Sequence, residues 1–316
     1  MSRRRVAVLK GGRSLEREVS LRSAANVEAA LRRLGHEVLS IDADQHLVRM
    51  LRAERPDVVF VAMHGRGGED GTVQEILEIL RIPYTGSGVI ASERAMDKVV
   101  AKADFAAAGV PTPPGYAFSQ AAFRELGAAE ALPDIEESLG LPVVVKPARQ
   151  GSALGITVAH EPAEVPAALM AALAYDDRVL LERFVRGREL AVAVLGTGDD
   201  AWALPVVEAV PQGREFYDFE ARYTPGLTTL RAPADLPDDV AQEAARLALT
   251  CYRTLGCRGF GRVDMLLDGD GRLWVLELNT IPGMTDTSLL PKAAEAAGLE
   301  WDEIVSRILD QAALGV

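Results

Sequence analysis

Cysteine is almost missing from the 316-residue sequence: only Cys251 and Cys257 occur, in a stretch that reads as the end of a helix running into a strand. A chain long enough to bury more than one core has no need of a covalent staple, so a reduced, cytoplasmic protein is expected. Histidine is also scarce, and His36, His46, His64 and His160 stand apart, with no Cys or second His at a zinc-ligand spacing. A zinc centre is therefore disfavoured. Long apolar runs are lacking; Val58–Met63 and Leu190–Leu195 are strand-sized and too short to span a bilayer. Arg3–Arg5 with Val6–Leu9 imitates a basic leader, but Lys10-Gly11-Gly12 cuts the apolar stretch short of a signal core. Neither export nor a membrane partner is expected. No basic run continues beyond Arg5, and 34 Lys plus Arg against 46 Asp plus Glu leave a formal net charge of −12. Nucleic acid is thereby excluded as a main partner, and a bound anion must be held by a few placed cations and backbone amides, against the sign of the whole molecule.

What is present is a globular composition, 48% apolar and 25% charged, at a length that favours two or three packed units. The β-branched runs Val6–Leu9, Val38–Ile41 and Val58–Ala62 alternate with helical periodicity over about Glu18–Leu34 and Gln45–Arg52, which predicts a βαβαβ unit with a parallel sheet. Gly71–Leu80 reads as a further helix, and the turn-rich Ile82–Gly88 as a boundary. Helical periodicity covers Val89–Ala108, after which Pro111, Pro113 and Pro114 enforce extended backbone. A strand (Leu141–Pro147), a loop of small residues (Arg149–Gly155), a strand (Ile156–Ala159) and a helix (Ala163–Leu173) follow. Strands are expected at Val179–Phe184, Glu189–Leu195 and Ala203–Val210. Pro211–Asp235 is polar with little periodicity, a candidate lid. An amphipathic helix (Val240–Leu255), a hairpin (Gly261–Leu267 with Leu273–Asn279) and two helices complete the pattern. The expected units are an N-terminal α/β unit (1–87), a central unit (88–182) and a C-terminal unit (183–316) containing the lid (about 211–235).

Three constellations carry chemistry. On the hairpin, Glu277 and Asn279 are two apart on one strand and share a face. If Leu267 and Asp268 meet Arg272 or Leu273 across the turn, Asp264 falls opposite Glu277 or Val275, on the Glu277 face in either register. Two carboxylates and an amide oxygen then converge, which suits Mg²⁺; the alternative is a solvated sheet face. Arg262 would share the face and offset negative charge. The second constellation is Lys146-Pro147-Ala148-Arg149-Gln150-Gly151-Ser152-Ala153-Leu154-Gly155, where Gly151, Ser152 and Gly155 let backbone N–H groups approach a polyphosphate beside the Lys146 charge. Its spacing is not that of a Walker A loop, and a plain turn is the competing reading. The third is the strand-turn-helix Gly11–Ser20 with the His64–Gly71 loop, both at the carboxyl edge of the parallel sheet where open α/β folds bind ligands. Glu16 and Glu18 could equally complement a helix dipole, and His64 could be a loop residue satisfied by backbone.

Taken together these segments resemble the D-alanine:D-alanine ligases of the ATP-grasp superfamily. The resemblance spans nearly the whole chain in ordered motifs: Gly11-Gly12 through Glu16-Arg17-Glu18-Val19-Ser20, His64 to Gly71, Tyr84 to Gly88, Met96-Asp97-Lys98, Lys146-Pro147, Gly261-Arg262-Val263-Asp264, Glu277-Leu278-Asn279-Thr280 and Pro282-Gly283-Met284-Thr285. It implies an α/β ATP-grasp fold, with ATP held between central and C-terminal α+β units. It further implies ATP-dependent joining of two D-alanine molecules through an acyl phosphate, for cytoplasmic peptidoglycan precursor synthesis. Lys98, Lys146, Gly151 and Arg222 would meet the phosphates, and Glu182, Phe184 and Glu189 the adenine and ribose. Asp264, Glu277 and Asn279 would hold two Mg²⁺ ions, with Mn²⁺ as a substitute. Glu16 would take the ammonium of the first D-alanine and His64 would lie near its carboxylate. Ser152 and Tyr223 would close the site through hydrogen bonds to Glu16, Arg262 would stabilise the oxyanion, and Gly283, Ser288 and Leu289 would line the second D-alanine pocket.

Tyr223 favours an amine acceptor, since D-lactate-using relatives commonly lack tyrosine at that position. Three positions depart from the family: Arg222 replaces a common lysine, Gln150 an often acidic residue and Phe184 an often-found tryptophan. A ligase making D-alanyl-D-lactate or another dipeptide, and a nucleotide-binding regulator without turnover, are the alternatives. Apolar helices near both ends suggest a homodimer.

Overall fold

A computed structural model describes residues 3–213, 217–224 and 226–315. Strands β1 (Arg5–Lys10), β2 (Glu37–Asp42) and β3 (Val58–Val61) alternate with α1 (Arg17–Arg33) and α2 (Leu47–Glu54), and α3 (Thr72–Leu80) follows. The strands form a parallel sheet in the order β2-β1-β3, as the alternation predicts. Val6–Leu9 and Val58–Val61 are buried because the strand runs are apolar on both faces, the mark of a covered parallel sheet.

The stretch expected as one helix over Val89–Ala108 is two, α4 (Val89–Met96) and α5 (Lys98–Ala107). Asp97 between them takes extended backbone (φ −84°, ψ 100°), and its carboxylate accepts hydrogen bonds from the N–H groups of Val99 (3.0 Å) and Val100 (3.2 Å). An aspartate N-cap is a stronger local preference than continued periodicity. The break makes Lys98 the first residue of α5, where its N–H donates to Ala148 O (3.0 Å), beside the small-residue loop.

The next sheet is antiparallel, in the order β4-β7-β5-β6, built from β4 (Gly115–Ser119), β5 (Val143–Pro147), β6 (Thr157–Ala159) and β7 (Arg178–Arg183). It carries α6 (Gln120–Glu125), α7 (Leu132–Leu139) and α8 (Val165–Leu173). Elements of five to eight residues such as β4, α6 and α7 escape a periodicity reading.

The last sheet runs β11-β10-β8-β12-β13, with β9 on β8. Its strands are β8 (Gly187–Leu195), β9 (Trp202–Ala203), β10 (Val207–Pro211), β11 (Thr228–Arg231), β12 (Phe260–Asp268) and β13 (Leu273–Asn279). The strand expected over Ala203–Val210 is split at Leu204-Pro205-Val206, since proline cannot donate to a ladder. The polar stretch Pro211–Asp235 is not featureless either: it holds α9 (Phe219–Tyr223), and β11 pairs with β10. Helices α10 (Asp238–Thr254), α11 (Leu289–Ala296) and α12 (Trp301–Asp310) complete the order.

Three cores result, and they do not follow chain order. The parallel sheet shares its core with α11 and α12 through Leu290, Ala293, Ile304, Val305 and Ile308, and with one face of the last sheet. The other face of that sheet packs on α10 and, through Ala91, Ala95, Ala101 and Phe105, on α4 and α5. The β4–β7 sheet keeps a separate small core with α7 and α8. It therefore stands over the larger body across a cleft. Among the described residues no helix is long and apolar enough to cross a membrane.

Because Asp97 caps α5 and sets the position of Lys98, Asp97→Ala is expected to cost about 1 kcal/mol in urea unfolding. Asp97→Asn should retain most of it.

Candidate active site

The hairpin of β12 and β13 supplies the acidic face. Leu267 lies opposite Leu273 and Met265 opposite Val275, a register that would set Asp264 against Leu276. Instead the pairing skips one residue, so that Asp264 meets Glu277 and Arg262 meets Asn279. A bulge at Leu276 thus brings Asp264, Glu277 and Asn279 to one face, while Val275 belongs to the buried opposite face. Of the two pairings expected for Asp264, the one with Glu277 occurs, reached through a bulge instead of an unbroken register, since a bulge leaves no signature in alternation alone.

All of this face is charge-paired. Arg262 donates from Nε (2.6 Å) and Nη2 (2.7 Å) to the two oxygens of Asp264, and Asn279 Nδ2 donates to Asp264 Oδ2 (3.2 Å). Arg222 Nη1 lies 3.8 Å from the same oxygen, and Lys98 Nζ lies 3.0 Å from Glu277 Oε2. Burial opposes ionisation of Glu277, but Lys98, Arg222 and Lys146 outweigh it and bring its pKa down to about 2. Among the described residues no group of three or more His, Cys, Asp or Glu is placed to hold a metal. The candidate set is two carboxylates and an amide, all-oxygen donors of the kind a hard divalent cation takes, with Asp264 shared with Arg262.

Between the β4–β7 sheet and this face lies a cavity of about 110 Å³ lined by Lys98, Lys146, Glu182, Phe184, Glu189, Arg222 and Glu277. Seven residues read as nucleotide or metal groups are thereby brought together. Lys146 and Lys102 both form ion pairs with Glu182. Burial, then the neighbouring Lys98, brings the Lys146 pKa down to about 8. Burial pushes Glu189 up to about 7 against the pull of Arg222. Gly151 does not line this cavity; a Cβ there would stand 2.7 Å from Glu16 Oε2, so its missing side chain makes room for Glu16.

A second cavity of about 50 Å³ adjoins the first, with Tyr217 and Arg222 lining both. The Arg222 guanidinium lies 4.6 Å over the Tyr217 ring and its Nε donates to Tyr217 O (3.1 Å). The small cavity collects Glu16, His64, Ser152, Arg262, Asn279, Gly283, Ser288 and Leu289. Glu16 immediately precedes α1, its N–H held by Ser14 Oγ (3.1 Å). The Ser152 hydroxyl donates to Glu16 Oε1, while Oε2 is buried without a hydrogen-bond partner among the described residues. Ser152 and Ala153 take left-handed backbone (φ 52° and 57°), a conformation side chains rarely adopt, held here where Ser152 reaches Glu16. Burial and Glu69 hold the Glu16 carboxyl above its ordinary value, against the Ser152 hydrogen bond.

His64 reaches this cavity but is not a free ligand group. Its Nδ1 lies 2.9 Å from Ile281 O and its Nε2 2.8 Å from Ser23 Oγ, which also accepts from the Met284 N–H (3.1 Å). Both ring nitrogens are taken up in bracing the Ile281–Met284 turn around Gly283. Ser288 Oγ likewise accepts from the Thr285 N–H (3.0 Å), and a Cβ at Gly283 would stand 2.7 Å from it. Tyr223 ends α9, and its side chain lies outside the described residues, as does its expected link to Ser152.

Residues 105–310 match the family description "D-ala D-ala ligase C-terminus" and residues 48–87 match "D-ala D-ala ligase N-terminus". The D-alanine--D-alanine ligase of Gloeobacter violaceus is 46% identical over 313 residues, covering 97% of this chain and 99% of the relative. That of Bordetella avium is 47% identical over 309 residues, covering 98% and 94%. The chain belongs to the D-alanine–D-alanine ligase family. Solved structures similar to it include the VanG D-Ala:D-Ser ligase of Enterococcus faecalis (TM-score 0.84, 29% identity, 98% of this chain and 99% of that one). A second is the Bacillus anthracis D-alanine--D-alanine ligase complexed with ATP (TM-score 0.81, 30% identity, 98% and 96%).

For a chain of the ligase family, three residues at the site went unassigned in the sequence. Glu69 accepts from the Gly65 N–H (3.0 Å) and lines the small cavity, Tyr217 divides the two cavities, and Lys102 stands behind Glu182. Only Lys102 carried a usable signal, its spacing of four from Lys98 on one helix face.

The folded chain binds a proton on Glu16 more tightly than the unfolded one, so its ionised form is a burden above the folded pKa that disappears below the unfolded pKa. Glu16→Gln removes that burden. Its thermal midpoint is expected to exceed that of the wild type at about pH 8, with the margin shrinking toward about pH 4. A lower midpoint at the higher pH would contradict the buried, unsatisfied charge.

Proposed function

We propose that this chain is an ATP-dependent D-alanine–D-alanine ligase that joins two D-alanine molecules through an acyl phosphate, in cytoplasmic peptidoglycan precursor synthesis. The observation that carries this reading is the wall shared by the two cavities: a cation-lined cavity meets, at Arg222 and Tyr217, a small cavity holding a carboxylate oxygen with no partner among the described residues. In this reading the larger cavity takes ATP, with Lys98, Lys146 and Arg222 toward the phosphates and Glu182, Phe184 and Glu189 toward the nucleoside. Glu16 Oε2 takes the ammonium of the first D-alanine and leaves its carboxylate facing Arg222 and the γ-phosphoryl group. Phosphoryl transfer asks the site chiefly for positioning and charge screening, which the paired cations supply in a dry enclosure.

Arg262 has Nε and Nη2 held by Asp264, which leaves Nη1 for the small cavity that it lines. Fixed in this way, it is preorganised to stabilise the tetrahedral oxyanion formed when the second amine adds, with the Gly283 backbone beside it. Ser288 and Leu289 shape the acceptor end. Asp264, Glu277 and Asn279 would hold Mg²⁺, two ions in this reading, or Mn²⁺, which when bound screens the negative charge of phosphates and carboxylate. Tyr223 is kept as the lid residue that favours an amine acceptor. A homodimer is part of the same proposal, supported by the exposed Ile79 and Ile90 on α3 and α4.

The test is phosphate release from ATP and Mg²⁺ with D-alanine as sole amino acid, and with D-alanine paired with D-serine or D-lactate. D-alanine-dependent release with formation of the dipeptide supports the proposal. ATP binding without it, or a clear preference for D-lactate at neutral pH, would refute it. In the same assay Arg262→Ala is expected to lower turnover by about 10²- to 10³-fold, the loss of about 2.7–4 kcal/mol typical of an oxyanion donor, while ATP still binds.

A further inference from the structure

Lys102 is a buried lysine that the reaction as described leaves unused; burial and the neighbouring Lys146 push its pKa well down, and the Glu182 carboxylate is the anion placed to keep it charged. It lies one turn after Lys98 on α5, is 8% exposed, donates to Pro113 O (2.8 Å) and pairs with Glu182 Oε1. It does not line the nucleotide cavity; Glu182 and Lys146 do. Lys146 pairs with the other oxygen of the same carboxylate, so one anion is shared by two ammonium groups, one facing the cavity and one behind it.

We infer that Lys102 is a positioning residue of the nucleotide site: it holds the Glu182 carboxylate in place and neutral in sum, so that Lys146 can exchange that partner for phosphate. The inference rests on the ATP reading above. Glu182 is 1% exposed, and a carboxylate buried there without a partner is costly. With Lys146 as its only partner, phosphate would have to break a buried ion pair and leave a bare anion facing another. With Lys102 in place the carboxylate keeps one cation throughout, and the move of Lys146 becomes an exchange of partners. Lys98 offers no substitute, being committed to Glu277 and to Gln150 O (2.7 Å), nor does Arg222, which is stacked on Tyr217. The competing role for Lys102 is a structural tie between α5 and the segment at Pro113, which would act without Glu182.

A double-mutant cycle separates the two. Lys102→Gln keeps an N–H donor for Pro113 O and removes the charge; it is combined with Glu182→Gln, and KM for ATP and for D-alanine is measured in the four proteins. Lys102→Gln alone is expected to raise KM for ATP about tenfold and to leave KM for D-alanine within about twofold. In the Glu182→Gln background the same substitution should change KM for ATP by less than about twofold. An equal cost in both backgrounds, or no effect in either, overturns the inference. Lys102→Met, which lacks the donor, gives a second cycle in which the same coupling is expected, and its absence there also overturns it. Equilibrium binding of ATP to the four proteins reads the same coupling without turnover. If the wild type shows no D-alanine-dependent phosphate release, the ligase proposal fails while the binding cycle still decides the role of Lys102.

Discussion

The site depends on one constraint, that opposite charges removed from water must be paired before a ligand arrives. The chain as a whole is strongly acidic, yet Lys98, Lys146 and Arg262 are buried, and Arg222 partly so, beside the two adjoining cavities. Each is tolerated because a carboxylate stands against it: Glu277 for Lys98, Glu182 for Lys146, and Asp264 for both arginines. Such pairs are weak sources of stability but strong sources of order, since breaking one strands its partner. The exception is Glu16, whose Oε2 has no hydrogen-bond partner among the described residues and which lines the smaller cavity.

The three cores deliver these groups from separate directions. The parallel sheet presents Glu16 and His64, the small β4–β7 sheet presents Lys146 and Glu182, and the large antiparallel sheet presents Asp264, Glu277 and Asn279. Helix α5 connects the last two, with successive turns reaching Glu277 and Glu182 through Lys98 and Lys102. Ser152 then reaches from the β4–β7 side to Glu16 on the parallel-sheet side, so groups from both sheets meet at the same carboxylate.

Much of this was legible in the sequence because it is written in local pattern. The parallel βαβαβ unit follows from apolar runs buried on both faces, and the carboxylate pair from its placement beside a Gly-rich turn. What was not legible depends on departures one residue long. Asp97 divides a continuous helical period, Pro205 divides a strand, and the bulge at Leu276 reverses which face Val275 joins. Gly151 is ambiguous for a related reason: glycine shows that something approaches closely, and not whether it is phosphate or a carboxylate of the same chain. His64 shows the converse, a polar residue lining the small cavity whose bonds go to Ile281 and Ser23, more than two hundred residues and some forty residues away.

The packing of α12 on α1 bears on how the protein is made. Ile304, Val305, Ile308 and Leu309 complete the core that also holds Val27 and Leu31, and Arg33 donates to Asp302 (2.8 Å) across that contact. The β1–β3 layer therefore carries an uncovered apolar flank until α12, distant from it in the chain, has been synthesised. During translation the β1–β3 layer is an open half-structure, and its core closes only once α12 has been made.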